Sequence, residues 1–196
     1  PVNIYAETKR RAEEIVNAWS GRSVILRPRA VFGPGDTVLL PRIIRAAQAG
    51  RLPVLDVPDG PVIGDLIYVE NLVDVVEQAA NQRVTGLFNL TNGEPVEILQ
   101  FLYDVFDQLN IPRPQKHISA RTAMLGAGLL ELLHRVFIPS REPSITRFGV
   151  HVFRYSKTFD IRRSLEQFGP PRVSLTEGLS RTIADLQATP QSEPPR

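Results

Sequence analysis

Apolar residues at helical spacing alternate with short continuous apolar runs up to about residue 90, and helical spacing dominates after it. Residues 3–19 are rich in Ala, Glu, Lys and Arg without Gly or Pro, which predicts a helix stopped by Ser20-Gly21. Residues 23–26 (SVIL) read as a buried parallel strand, and 27–36 (RPRAVFGPGD) as a loop. A second helix is predicted over 37–50, with Thr37 as cap and Gly50 as stop. Short strands at 52–55 and 65–69 flank a turn at Asp59-Gly60-Pro61. Residues 70–82 read as an amphipathic helix with Leu72, Val73, Val75, Val76 and Ala79 as its apolar set, and 86–90 (GLFNL) as a strand. Helices follow at 98–109, 122–137, 158–168 and 174–187, with an irregular stretch at 139–155 and a polar tail at 189–196. This order predicts an α/β core followed by a smaller α-rich lobe.

Composition narrows the classes of function. The 196 residues are 42% hydrophobic and 22% charged, as in globular proteins. The net charge of +2 makes no field strong enough to predict nucleic-acid binding. The absence of cysteine excludes a disulfide scaffold, a cysteine nucleophile and a thiolate metal site. His117, His134 and His151 lack a second ligand at helical spacing, so no metal is expected. No signal peptide and no transmembrane span are predicted, and the cytoplasm is the expected location. The one methionine is Met124, and a helix starts almost at Pro1, which predicts a part of a longer protein.

The chemistry rests on Tyr5 and Lys9, four apart on the first helix and so on one face. An ammonium beside a phenol favours the phenolate, and such a tyrosine can exchange a proton near neutral pH. Alone, the spacing is a weak signal that chance supplies often, and it describes a surface tyrosine beside a solvated lysine.

Three further segments follow in order: Leu26 to Asp36 (LRPRAVFGPGD), Asp65 to Val73 (DLIYVENLV) and Phe88 to Glu94 (FNLTNGE). With Tyr5-Ala6-Glu7-Thr8-Lys9 they resemble the extended short-chain dehydrogenases/reductases, the NAD-dependent epimerase/dehydratase superfamily. Asn71, the segment from Pro143 to Tyr155, Phe159-Asp160-Ile161 and Val173 to Leu179 resemble its 3β-hydroxysteroid and sterol-4α-carboxylate 3-dehydrogenase branch.

The resemblance implies the C-terminal part of a Rossmann-type parallel sheet with an α-rich substrate lobe. Residues 1–92 would belong to the dinucleotide-binding domain, 93–188 mainly to the substrate lobe, and 189–196 to a flexible tail. It implies NAD or NADP as cofactor, Tyr5 as catalytic acid/base, and Lys9 as ligand of the nicotinamide ribose. Pro28, Arg29, Ala30 and Val31 would line the nicotinamide, although Pro28 and Gly33-Pro34-Gly35 equally describe a turn leaving a strand. Asn71 reads as a cap or loop anchor rather than a substrate ligand.

The implied function is interconversion of a secondary alcohol and a ketone on a small hydrophobic substrate, steroid-like or long-chain. A nucleotide-sugar epimerase or dehydratase, and a non-catalytic lipid- or partner-binding remnant, are the alternatives. A homodimer is implied by the resemblance alone. The helix over 122–137 reads as a buried element of the small lobe, as a wall of an apolar substrate pocket, or as a peripheral membrane contact.

A dinucleotide site also needs a Gly-rich turn after a strand. Gly33-Pro34-Gly35 lacks the third glycine, since position 38 is Val. The isolated segment is therefore expected to bind NAD(P) poorly, to show no turnover, and to self-associate through uncovered edges.

Overall fold

The computed structural model describes residues 4–137, 150 and 152–188, the side chains of 129–137 excepted. The expected tail and most of the expected irregular stretch at 139–155 lie outside the described residues. In chain order the elements are α1 (Ile4–Ala18), β1 (Val24–Pro28), β2 (Val31–Phe32), α2 (Leu40–Gln48), β3 (Val54–Asp56), β4 (Ile63–Gly64), β5 (Ile67–Tyr68), α3 (Val69–Asn81), β6 (Gly86–Leu90), β7 (Val96–Glu97), α4 (Ile98–Gln108), β8 (His117–Ser119), α5 (Ala120–Phe137), α6 (Arg162–Phe168) and α7 (Leu175–Ala188).

The α/β class holds, and the strand pairing is mostly parallel. β1 runs parallel to β6 with Leu26 opposite Phe88 and Pro28 opposite Leu90. β2 runs parallel to β5, and β3 to β8, while β4 and β7 are antiparallel. Alternate residues of β1 and β6 fill one core: Val24, Leu26, Phe88 and Leu90 pack with Ile67, Leu72, Val75 and Phe168. A larger core gathers Phe32, Ile44, Tyr68, Leu102, Val105, Phe106, Leu179 and Ile183 from β2, α2, β5, α4 and α7.

α1 forms where the run of helix formers predicts it. Glu7 stands in its first turn, where a carboxylate suits the helix dipole. It bonds Arg10 at 2.9 Å and Arg11 at 2.7 Å. No residue of α1 is buried.

Several boundaries differ from the sequence pattern, each for a local reason. The second helix begins at Leu40 rather than Thr37, because the Asp36 carboxylate accepts the N–H groups of Val38, Leu39 and Leu40 at 2.8–2.9 Å. The expected loop over 27–36 contains the end of β1 and all of β2. The helix expected from residue 158 begins at Arg162. Before it, the Lys157 N–H bonds Ile63 O at 2.8 Å and the Phe159 N–H bonds Asp65 Oδ2 at 2.6 Å, so that stretch is held extended. β2, β4, β7 and β8 have two or three residues each, too short to leave a period in the sequence.

α5 packs through Ala123 and Ala127 beside Leu55, Ile118 and Val150, with Leu125 turned outward. Among the described residues no helix is long and apolar enough to cross a membrane.

Candidate active site

Parallel strands collect their carboxyl ends at one edge of a sheet, and ligands of open α/β folds bind there. Pro28 and Leu90 mark that edge in the β1–β6 pair. Five residues, 19–23, connect α1 to β1, so the helix runs back against the strand. The amino end of α1, with Tyr5 and Lys9, therefore lies toward the carboxyl end of β1. A bidentate pair fixes this arrangement: Arg27 donates through Nε to Glu13 at 2.7 Å, and through Nη2 to its other oxygen. The Arg27 guanidinium holds the Glu13 carboxyl below the usual carboxylate range.

Tyr5, Lys9 and Glu13 are spaced four apart and share one face of α1. Lys9 Nζ lies 5.6 Å from the centroid of the Tyr5 ring. The Tyr5 side chain stands open, 65% exposed. The structure thus brings phenol and ammonium together on an accessible surface.

Pro28 to Val31 form a crossover in the pairing. Arg29 still donates its N–H to Leu90 O at 3.1 Å, while the Ala30 carbonyl accepts the Ile67 N–H at 3.4 Å and Val31 pairs with Ile67. The chain passes from β6 to β5 across these residues, and Ala30 makes the bend at φ 43°. That left-handed backbone is costly for a residue with a Cβ. Arg29 is half-buried; its guanidinium carbon lies 5.9 Å from the Phe159 ring centroid, and its Nε is buried with no hydrogen-bond partner.

The turn at Gly33-Pro34-Gly35 does not offer a phosphate cradle. The N–H groups of Val38 and Leu39 before the next helix, and of Leu40 at its start, are occupied by the Asp36 carboxylate, which also repels an anion. A Cβ on Gly33 would lie 2.3 Å from Val69 Cγ1. Gly33 is therefore required for packing on α3. An open phenol and ammonium on one helix face are groups that the nicotinamide end of a dinucleotide would need. The Gly33-Pro34-Gly35 turn does not suit its diphosphate.

Beneath this edge lies a buried amide clip. Asn71 Oδ1 accepts the N–H groups of Arg172 and Val173 at 3.1 and 3.0 Å. Asn71 Nδ2 donates to Val173 O at 2.7 Å and to Asn92 Oδ1 at 2.9 Å. Asn92 Oδ1 also accepts the Tyr68 N–H, and Asn92 Nδ2 donates to Val173 O. Asn71 is thus an anchor for the loop before α7. An apolar cavity of about 460 Å³ lies between β3 and α4, walled by Val54, Leu55, Ile98, Leu99, Leu102 and Phe153. Neither Tyr5, Lys9 nor residues 28–31 line it.

Residues 1–90 match the model of the NAD dependent epimerase/dehydratase family. Over those residues the chain is similar to that family. The match ends on Leu90, the last residue of β6. Similar proteins include the 3beta-hydroxysteroid-dehydrogenase/decarboxylase isoform 2 of Arabidopsis thaliana, 34% identical over 91% of this chain and 35% of its own length. The 2-alkyl-3-oxoalkanoate reductase of Stenotrophomonas maltophilia is 32% identical over 94% of this chain and 58% of its own. The mouse (Mus musculus) sterol-4-alpha-carboxylate 3-dehydrogenase, decarboxylating, is 29% identical over 93% and 54%. The chain thus spans between about a third and three fifths of the relatives it matches. A solved UDP-glucuronic acid 4-epimerase from Bacillus cereus superposes with a TM-score of 0.62 at 18% identity, over 95% of this chain and 53% of that one, so the Rossmann-type fold is shared.

Sequence reasoning missed Glu13, Asp36, Asn92 and the orphaned nitrogen of Arg29. Asp36 carried a readable signal, an aspartate just before a helical run. Glu13 and Asn92 find partners 14 and 21 residues away, at no regular spacing.

Proposed function

We propose that the natural protein carrying this chain is an NAD(P)-dependent oxidoreductase that interconverts a secondary alcohol and a ketone on a hydrophobic, steroid-like or long-chain, substrate. The observation that carries it is the Tyr5–Lys9 pair, open to solvent at the carboxyl end of parallel strands, with Lys9 Nζ 5.6 Å from the Tyr5 ring centroid. Tyr5 acts as the proton carrier: its hydroxyl donates to the substrate oxygen during reduction and receives the proton back during oxidation. Lys9 offsets the negative charge that develops on the Tyr5 oxygen and donates a hydrogen bond to the nicotinamide ribose. Pro28, Arg29, Ala30 and Val31 line the nicotinamide side of the cleft. Nicotinamide, when bound, supplies or takes the hydride. Residues 1–92 belong in this reading to the cofactor half and 93–188 mainly to the substrate lobe.

The names of the relatives support the substrate class, since they join a 3-hydroxyl or 3-oxo group to a sterol or an alkanoate. Tyr5→Phe in the full natural chain is expected to lower kcat about 100-fold or more, with unchanged affinity for NAD(P). Turnover retained within a few-fold would remove Tyr5 from this role. A second reading, nucleotide-sugar epimerisation or dehydration, is favoured by the structural likeness to the UDP-glucuronic acid 4-epimerase. Sterols, 3-hydroxy acids and UDP-sugars, compared by NAD(P)H absorbance and product analysis, separate the two.

A further inference from the structure

The apolar cavity between β3 and α4, about 460 Å³, has the size of a small-molecule site, and none of the residues proposed for the reaction lines it. Its floor is buried: Val54, Leu102 and Phe106 are 5%, 4% and 0% exposed. Its mouth is polar. Asp56 ends β3, His117 opens β8, and Glu97 ends β7 just ahead of α4; all three line the cavity and are exposed. Among the described residues no Lys or Arg lines it. Lys116, beside His117, is not part of it, and Arg113 is held by Asp107.

A buried apolar floor under a polar rim fits an amphiphile, with its chain inside and its head at the mouth. The rim says which head. His117 Nδ1 lies 2.9 Å from Asp56 Oδ1. An ionised carboxylate only accepts hydrogen bonds, so in the neutral ring Nδ1 carries the proton toward Asp56 and Nε2 is left as an acceptor. Glu97 stands at the N-cap of α4 without a side-chain cap bond, so its carboxylate is not spent on the helix. A rim built of acceptors, two of them carboxylates, attracts a cation with several N–H donors and repels an anion.

We propose that this cavity is a second ligand site, apart from the Tyr5–Lys9 pair, and that its ligand is an alkyl chain ending in an ammonium group. The chain lies among Val54, Leu99, Leu102 and Phe106, and the head donates to Asp56, Glu97 and His117 Nε2. Binding here requires neither Tyr5 nor a nicotinamide, so it stands whether or not the redox role holds.

The test is calorimetric titration of the full natural chain with decylamine, decanol and decanoate, each below its micelle concentration and without NAD(P). Decylamine is expected to bind roughly three- to ten-fold more tightly than decanol, the span of one or two partly exposed ion pairs, and decanoate more weakly than decanol. Joint replacement Asp56→Asn and Glu97→Gln should bring the amine down to the level of the alcohol and leave the alcohol unchanged. Leu99→Trp, which fills the cavity from its half-buried wall, should abolish binding of both. Absence of decylamine binding, or decanoate bound as tightly as decylamine, overturns the proposal with no variant needed. A preference for the amine that survives the joint replacement overturns it too. So does unchanged decylamine binding by Leu99→Trp protein that melts like the unaltered chain.

Discussion

Replacing Asn71 with alanine tests whether the buried amide clip holds the strand edge to the loop before α7. Asn71 is 2% exposed and makes four hydrogen bonds through its side chain. Two of its partners keep another bond when it is removed: Val173 O retains Asn92 Nδ2, and Asn92 Oδ1 retains the Tyr68 N–H. The Arg172 N–H is part-buried and can turn to water. The Val173 N–H is buried and loses its acceptor. One orphaned buried donor costs about 1–3 kcal/mol, and the other lost bonds add about 1 kcal/mol. A destabilisation of about 3 kcal/mol follows. In a chain of this size it lowers Tm by about 6–12 °C. Urea unfolding of the full natural chain measures it, with exposed Asn81→Ala as a control expected within about 0.5 kcal/mol. A cost below about 1 kcal/mol for Asn71→Ala would refute the clip.

Two glycines in helices should respond in opposite directions. Alanine in place of a helical glycine ordinarily stabilises by about 1 kcal/mol. Gly126 in α5 has nothing within 4 Å of a built Cβ, so Gly126→Ala should raise Tm. A Cβ on Gly178 in α7 would stand 2.7 Å from the Tyr68 ring, so Gly178→Ala should lower it, and thermal melts of the two variants decide. In α1, Arg10 and then Arg11 hold the Glu7 carboxyl down to about 2. A carboxyl depressed in the folded state stabilises it above the ordinary value of 4.5 and loses that contribution as pH falls toward 2. Amide exchange in α1, corrected for intrinsic rates, should therefore show declining protection between those limits, and flat protection there would contradict the pairing.

Long elements were legible because their periods repeat. The helix formers of α1, the strand Gly86–Leu90 and the apolar spacing of α4 each express local physics over several residues. Tyr5 and Lys9 were legible for the same reason, since a four-residue spacing on one helix fixes their relation without reference to the rest of the fold. The start of α2 misled because Thr37 and Asp36 are both capping types, and only the folded turn shows which one meets the free N–H groups. The clip between Asn71, Asn92 and Val173 had no local trace at all. Its members are 21 and 102 residues apart and meet because β5, β6 and the loop before α7 converge.

The same distinction separates the two arginines of the Arg27-Pro28-Arg29 run, which look equivalent as a sequence. Arg27 lies within β1, where α1 reaches it, and Glu13 neutralises it with two hydrogen bonds. Arg29 lies one residue past the strand, where pairing passes from β6 to β5 and no acid of the described chain arrives. A guanidinium with a carboxylate of its own holds the helix in place and leaves nothing for a ligand. The guanidinium of Arg29 is half-buried against the Phe159 ring, and its Nε has no hydrogen-bond partner among the described residues. The pairing of Arg27 ties α1 to β1, and two arginines separated by one residue meet different surroundings because the strand pairing changes between them.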